Sequence, residues 1–278
     1  MIVEHKSKKR RKIKIKPETL EQIQQLSLMN NAFMNLALED NIPCVEEMLR
    51  VILSKPDLVV KTARTQKMLQ GFRRSIYLDI YAEDSNGTRY NIEIQQSNEG
   101  ADPRRARFHM GMVDVHSLKS GQDFRELPEC YVIFITQEDV LKRGKTIYTI
   151  HKYIDEDLEA FDDGSHIIYV NGAAKDDGTD LWKLIHDLHC TNAGEMYFPR
   201  LSARVKYLKE DEEGMAVVSD YFEELQAKAV REAEKKTAKQ EKENLVLNLL
   251  HLGKLTLEEI ASCSGLTLKR VQTLAKTL

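Results

Sequence analysis

The most constraining stretch of this chain is SIYLDIYAEDSNGTRYNIEIQ, from Ser75 to Gln95. Ile76, Leu78 and Ile80 alternate with Ser75, Tyr77, Asp79 and Tyr81; after a turn, Ile92 and Ile94 alternate with Asn91, Glu93 and Gln95. A repeat of two marks strands with one buried face, so the segment predicts a β-hairpin. Register decides what such a hairpin can do. A two-residue turn at Asn86-Gly87 sets Asp79 across from Ile94 and sends Glu93 to the other face. A three-residue loop, Ser85-Asn86-Gly87 closed by Asp84 and Thr88, sets Asp79 across from Glu93, with Gln95 two residues further along the same face. That loop wants a left-handed residue in third place, where Gly87 stands. It also keeps the isoleucines on one face, which a one-residue slip does not. Directly opposed Cβ atoms lie about 5 Å apart, close enough for two carboxylates to share a divalent cation. Without a cation between them they repel. The ordinary alternative is a solvated acidic face on a plain antiparallel hairpin.

At these residues a likeness emerges. The D…ExQ pattern of Asp79 and Glu93-Ile94-Gln95 resembles the PD-(D/E)XK nuclease superfamily. It is most similar to the recombination-promoting nuclease and putative transposase branch, which carries Gln where most of the superfamily has Lys. The segments LMNNAFMNLALED, RRARFHMGMVD, GQDFRELPECYVIFI and LWKLIHDLHC with ARVKYLKEDEEGM extend the likeness over roughly Leu26 to Leu225. The resemblance implies an α/β fold with an αβββαβ core, a mixed sheet and metal-dependent cleavage of DNA. Carried onto this chain, it makes Asp79 and Glu93 the metal-binding carboxylates and the Ile94 backbone carbonyl a further ligand. Gln95 then takes the place of the catalytic lysine. Mg²⁺, with Mn²⁺ or Ca²⁺ as the other candidates, suits oxygen ligands and keeps waters, one of which can become the attacking hydroxide. A glutamine orients a water by hydrogen bonding but holds no charge. A second metal, or a lysine from another element, is therefore left open as the activator of the nucleophile.

Other residues are weighed against plainer roles. EEMLRVIL (Glu46 to Leu53) reads as an amphipathic helix, and Glu47 is the candidate for an additional acid, against a solvated helix face. A helix beginning near Pro103 carries Arg104, Arg105 and Arg107 in its first turns, where guanidinium groups and a helix start both attract phosphate. Arg105 and Arg107 are the leading choices for DNA-backbone contacts, with ordinary surface salt bridges as the alternative. His186, His189 and Cys190 stand at helical spacing but lack a second pair of ligands, so they are assigned to packing. His109 and His116 are isolated and receive no role.

From about Ser219 the composition changes. EELQAKAVREAEKKTAKQEKENL, without Gly or Pro, reads as a long exposed helix. Beyond it, Thr256 and Glu259 form a capping box, and Ala261, Gly265 and Val271 have the spacing of a helix-turn-helix. Lys269, Arg270 and Gln272 then fall on or near the exposed face of the second helix, the face that meets the major groove of DNA. A helical hairpin that docks on the body or mediates dimerisation is the competing reading. The expected organisation is a basic, disordered tail at 1–16, a nuclease-like domain at 17–218, a charged helical linker at 219–244 and a small helical module at 245–278. Within the domain, Lys55 to Gln70 reads as a connection with a first strand around Asp57 to Lys61. The apolar run YVIFI (Tyr131 to Ile135) reads as a strand buried on both faces that covers the back of the hairpin sheet and leaves the Asp79 and Glu93 face open toward a substrate groove.

The net charge of −3 argues against a protein that coats DNA over its whole surface; the basicity is local. Cys44, Cys130, Cys190 and Cys263 are scattered, which points to reduced thiols and a cytoplasmic setting. No apolar run is long enough for a bilayer, so no membrane partner is expected, and the basic N-terminal block lacks the apolar core of a secretion signal. The expected function is a divalent-metal-dependent DNA endonuclease linked to recombination or mobile elements. Double-strand cleavage with one site per chain points to a homodimer. The alternative is a catalytically silent DNA-binding or assembly protein acting through its C-terminal module.

Overall fold

Three short helices, the second and third capped by asparagines, lead into a sheet whose central strands are buried. The structure is a computed structural model describing residues 15–96 and 100–276. The expected basic tail lies outside these residues up to position 14. By internal contacts the chain divides into two units, Met1–Ser219 and Asp220–Leu278.

In the first unit, α1 (Pro17–Gln25), α2 (Asn31–Leu38) and α3 (Ile42–Leu53) precede the sheet. Asn30 caps α2 by accepting from the Phe33 amide, and Asn41 caps α3 by accepting from that of Cys44. The strands are β1 (Val60–Leu69), β2 (Ile76–Asp84), β3 (Arg89–Gln95), β4 (Cys130–Thr136), β5 (Ile147–Ile150) and β6 (Ser165–Asn171). Helix α4 (Pro103–Ser117) joins β3 to β4, and α5 (Asp180–His189) and α6 (Pro199–Glu210) follow the sheet. The sheet order is β1-β2-β3-β4-β6-β5. Strands β1, β2 and β3 run antiparallel to one another, β3, β4 and β6 run parallel, and β5 returns antiparallel at the edge. The run α3-β1-β2-β3-α4-β4 is the αβββαβ core with a mixed sheet that the sequence implied.

Two details differ from the sequence reading. The segment Lys55 to Gln70 was expected to be mostly connection, with a short strand near Asp57 to Lys61; instead β1 is ten residues long. Its sequence, VKTARTQKML, lacks a clean alternation because β1 is an edge strand, where charged side chains discourage pairing with other chains. The YVIFI run (Tyr131 to Ile135) was expected to cover the back of the hairpin sheet. It lies within the sheet, pairing in parallel with β3 from Arg89↔Cys130 to Gln95↔Thr136. Every residue of β4 is buried, with α4 packed against it, and truncating Ile133 or Ile135 to Ala should cost about 2–5 kcal/mol.

The hairpin takes the register that a three-residue loop demands, with Ile80↔Ile92, Tyr81↔Asn91 and Glu83↔Arg89. Asp84 builds the loop: its amide donates to the Thr88 carbonyl, and its Oδ1 accepts from the amides of Asn86 and Thr88. Gly87 sits at φ 85°, a value that favours glycine.

The second unit contains the C-terminal part of α7 (Glu212–Leu252), together with α8 (Leu257–Ser264) and α9 (Leu268–Ala275). Its small core gathers Val246, Ile260, Val271 and Leu274, with Leu250, Leu257 and Ala261 packed around them. The Thr256–Glu259 capping box opens α8, and Gly265 caps it in the left-handed conformation.

Candidate active site

The hydrogen-bonded pairing of β2 with β3 stops at Ile80↔Ile92. Beyond that point β2 continues against β1, and β3 continues against β4. The two strands part, and the next facing residues, Asp79 and Glu93, fill the gap with carboxylates. Asp79 Oδ2 accepts the amide hydrogen of Ile94 at 3.0 Å, and Glu93 Oε1 accepts that of Asp79 at 3.3 Å. Each acid thus satisfies a main-chain donor of the opposite strand.

Both acids are withdrawn from water, Asp79 at 8% exposure and Glu93 at 0%. The face that the sequence reading left open to a groove is therefore largely covered. Burial pushes the Asp79 carboxyl above its ordinary value, the neighbouring charge of Glu93 adds to the rise, and hydrogen bonds from Asn31, the Ile94 amide and Gln66 oppose it. Gln66 Nε2 donates to Asp79 Oδ1 at 3.1 Å from a left-handed backbone position in β1.

Helix α4 supplies a cation to the other acid. Arg105 Nη2 donates to Glu93 Oε2 at 3.0 Å, while Nη1 donates to Gln95 Oε1 at 3.2 Å and to the Gly100 carbonyl at 2.9 Å. A Cβ at Gly100 would lie 1.7 Å from Gln95 Oε1, so only glycine leaves Gln95 room to meet Arg105. One turn later on α4, His109 is buried with Nδ1 3.4 Å from Glu93 Oε1 and 3.1 Å from the Asn91 amide. Its Nε2 accepts from Arg105 Nε at 3.4 Å.

The structure thus gathers Asp79, Glu93, Gln95 and Arg105, and adds Gln66, Asn31, Asn91 and His109, which sequence reasoning passed over. The i, i+4 spacing of Arg105 and His109 was the available signal, since it places both on one face of a helix. The sequence reading turned Arg105 outward to the DNA backbone; in the structure it points inward at Glu93, because a fully buried carboxylate needs a partner. Arg104 and Arg107 are exposed. Glu47 is elsewhere. It lines a cleft of about 770 Å³ with Arg50, Thr146, Asp177 and Arg200, and its nearest charges are Arg200, Asp187 and Arg50. The phase of α3 turns it toward α6, not toward the acid pair.

The donor set available to a cation is two carboxylates and main-chain oxygen. Among the described residues no group of three or more His, Cys, Asp and Glu side chains is gathered for a metal. Two buried carboxylates are offset by a single guanidinium, which bonds Glu93 and, among the described residues, leaves Asp79 without a cation. All-oxygen donors with water completing the shell fit a hard divalent ion.

In the C-terminal unit, Lys269 and Gln272 are exposed on α9, whereas Arg270 is tied to Glu243 of α7, with Nη2 2.8 Å and Nε 3.0 Å from Oε1. Among the described residues no helix is long and apolar enough to cross a membrane.

Compared with known families, residues 36–174, half of the 278-residue chain, match the one described as PD-(D/E)XK nuclease family transposase. The matched segment contains β1 to β6, both acids and α4. No curated protein and no solved structure matches the chain significantly.

Proposed function

Because the chain belongs to the PD-(D/E)XK nuclease family transposases, we propose that it is a divalent-metal-dependent DNA endonuclease with its reactive centre at Asp79 and Glu93. The observation that carries this reading is the parting of β2 and β3, where two buried carboxylates stand side by side and each accepts an amide hydrogen from the opposite strand. Nucleases of this superfamily generally use divalent metal ions. Asp79 and Glu93, with the Ile94 carbonyl, are the groups that hold the ion, and Mg²⁺ or Mn²⁺ suits them. An ion held there would supply a Lewis acid for the scissile phosphate and lower the pKa of a water.

The chain's own residues do the rest. Gln95, fixed through its Oε1 by Arg105, presents a rigid amide to the attacking water. The positive charge that a glutamine lacks is carried one hydrogen bond away, on the Arg105 guanidinium. That cation lies beside the place where charge would grow on the phosphate. His109 and Asn91 keep Glu93 and Arg105 in position from behind. Arg104 and Arg107, exposed at the start of α4, are placed to take the flanking DNA phosphates.

The test is conversion of supercoiled plasmid to nicked or linear forms with Mg²⁺ or Mn²⁺, for wild type and Asp79→Asn. Metal-dependent cutting by wild type that the variant loses is the expected result. Equal cutting by both proteins would remove the acid pair from the chemistry.

One observation favours a second reading, DNA binding through the C-terminal unit. Val271 anchors α9 in the small core while Lys269 and Gln272 face outward, as a recognition helix requires. Lys269→Glu with Gln272→Ala should weaken duplex binding severalfold in a gel-shift series if α9 reads DNA. Unchanged binding would leave the unit a docking or assembly role.

A further inference from the structure

The loop joining β1 to β2 is not used by the acid pair, and its composition is unusual for a strand connection. Gln70 to Ser75 reads QGFRRS, an aromatic and two arginines without an acid. Phe72 is 104% exposed, as open as the ring can be, and Arg73 and Arg74 are exposed beside it. Just behind the tip, Met68 and Tyr77 pair across the strands and are also exposed. Among the described residues neither arginine meets a carboxylate. The base of the loop is anchored: Leu69 pairs with Ile76, and the Gln70 carbonyl lies 3.0 Å from His116 Nε2 at the end of α4. A lone exposed ring is ordinary on a protein surface, but Phe72 with Met68 and Tyr77 gathers three large exposed apolar side chains at one end of the β1–β2 pair, a grouping that marks an interaction site.

We propose that this tip is a binding site for single-stranded DNA, with Phe72 stacking on an unpaired base and Arg73 and Arg74 holding the adjacent phosphates. The inference deepens the nuclease reading and rests on it for the choice of DNA. Charge and ring together select the occupant. An acidic peptide answers the guanidiniums but does not set flat π faces and anions at a fixed short repeat, whereas a nucleic-acid strand offers both along its whole length. A duplex offers the anions but keeps its bases stacked, so the ring discriminates in favour of unpaired segments. Position agrees with this role. Asp79 lies four residues beyond Ser75 on β2, about 13 Å at the rise of a strand. A strand stacked on the tip and running along β2 would reach the level of the acid pair within a few nucleotides. The substrate class that follows is DNA with an unpaired stretch, such as a fork, a flap or a melted end.

The test measures binding, without metal and without cleavage, by fluorescence anisotropy of the full-length protein. The probes are fluorescein-labelled oligothymidylate and a labelled duplex of equal length. Phe72→Ala should weaken binding to the single strand by about tenfold and leave the duplex nearly unchanged, while Phe72→Tyr restores the difference. Arg73→Gln with Arg74→Gln should weaken both and flatten the salt dependence. Because Phe72 is wholly exposed, its replacement leaves folding intact, which a superimposable circular dichroism melt would verify. Equal loss on both probes, no loss on either, or a chain whose oligomeric state changes with Phe72→Ala would overturn the proposal. The nuclease reading fails separately, in the plasmid assay with Asp79→Asn; a protein that binds single strands through Phe72 yet cuts nothing would retain the site and lose the reaction.

Discussion

Helices α4 and α9 both begin with adjacent basic residues, and in both a half-exposed arginine pairs with a more buried glutamate. Arg105 meets Glu93 at 3.0 Å and Arg270 meets Glu243 at 2.8 Å, so the contacts look alike. What differs is the setting of the acid. Glu93 lies in the middle of the sheet without exposure and beside a second carboxylate, whereas Glu243 sits on a helix and retains some contact with water. Removing the partner of a fully buried charge strands that charge; Glu243, at 12% exposure, keeps some water and has Lys239 4.0 Å away. The same ion pair is thus a requirement in the sheet and an accessory in the helical unit. Arginines outside such pairs, Arg104 and Arg107, stay exposed for a ligand.

The strongest way to break this contrast is to disarm the acid pair. Asp79→Asn should lower cleavage on the order of a thousandfold, yet hold or raise the metal-free melting temperature by ending the repulsion with Glu93. The Asp79 carboxyl sits above its ordinary value, so protonation favours the folded state, and this group's contribution to metal-free stability improves as pH falls through its folded value. Metal binding needs the carboxylate form. The gain in melting temperature on adding Mn²⁺ should therefore disappear on acidification, at a higher pH than for an ordinary aspartate, and Asp79→Asn should show no such gain at any pH.

Next in size is Arg105→Ala, which should cost about 2 kcal/mol in urea unfolding; the side chain is 38% exposed, and solvent offsets part of the loss. Adding Glu93→Gln should recover most of that stability but no cleavage. If the double variant is as unstable as the single, the arginine contributes through packing over Phe134, whose ring centroid lies 5.9 Å from its guanidinium carbon, and the contrast with α9 loses its basis. The smallest effect is expected from Arg270→Ala, about 0.5 kcal/mol and confined to the C-terminal unit. A loss as large as that for Arg105→Ala would show that acid burial does not govern these pairs.

The residues differ in how openly they announced their places. The hairpin register was legible because its determinants are local: Gly87, the closing pair Asp84 and Thr88, and the alternation of isoleucines all act within twenty-one residues. The placement of β4 was not legible. Burial on both faces fits a strand inside a sheet as well as one behind it, and only the crossover through α4 decides. Strand β1 was hidden by its edge position, which removes the apolar alternation that marks inner strands. Arg105 could be named from sequence, but its direction depended on the burial of Glu93, a tertiary fact. Gln66, Asn31 and His109 reach the acids from three separate elements, and no short pattern links them. Glu47 was misplaced for the same reason, since helix phase alone does not say which neighbour a helix will face.

Where β2 and β3 part, framework and reagent are one object: the carboxylates that would hold a cation also close the seam between two strands. Descendants that abandon cutting are not free to replace these acids at random, since the two amide hydrogens still need acceptors. Asparagine and glutamine preserve the join, whereas alanine or valine would leave it frayed. Inactive members of such a lineage should consequently stay polar at both places long after selection for catalysis has lapsed.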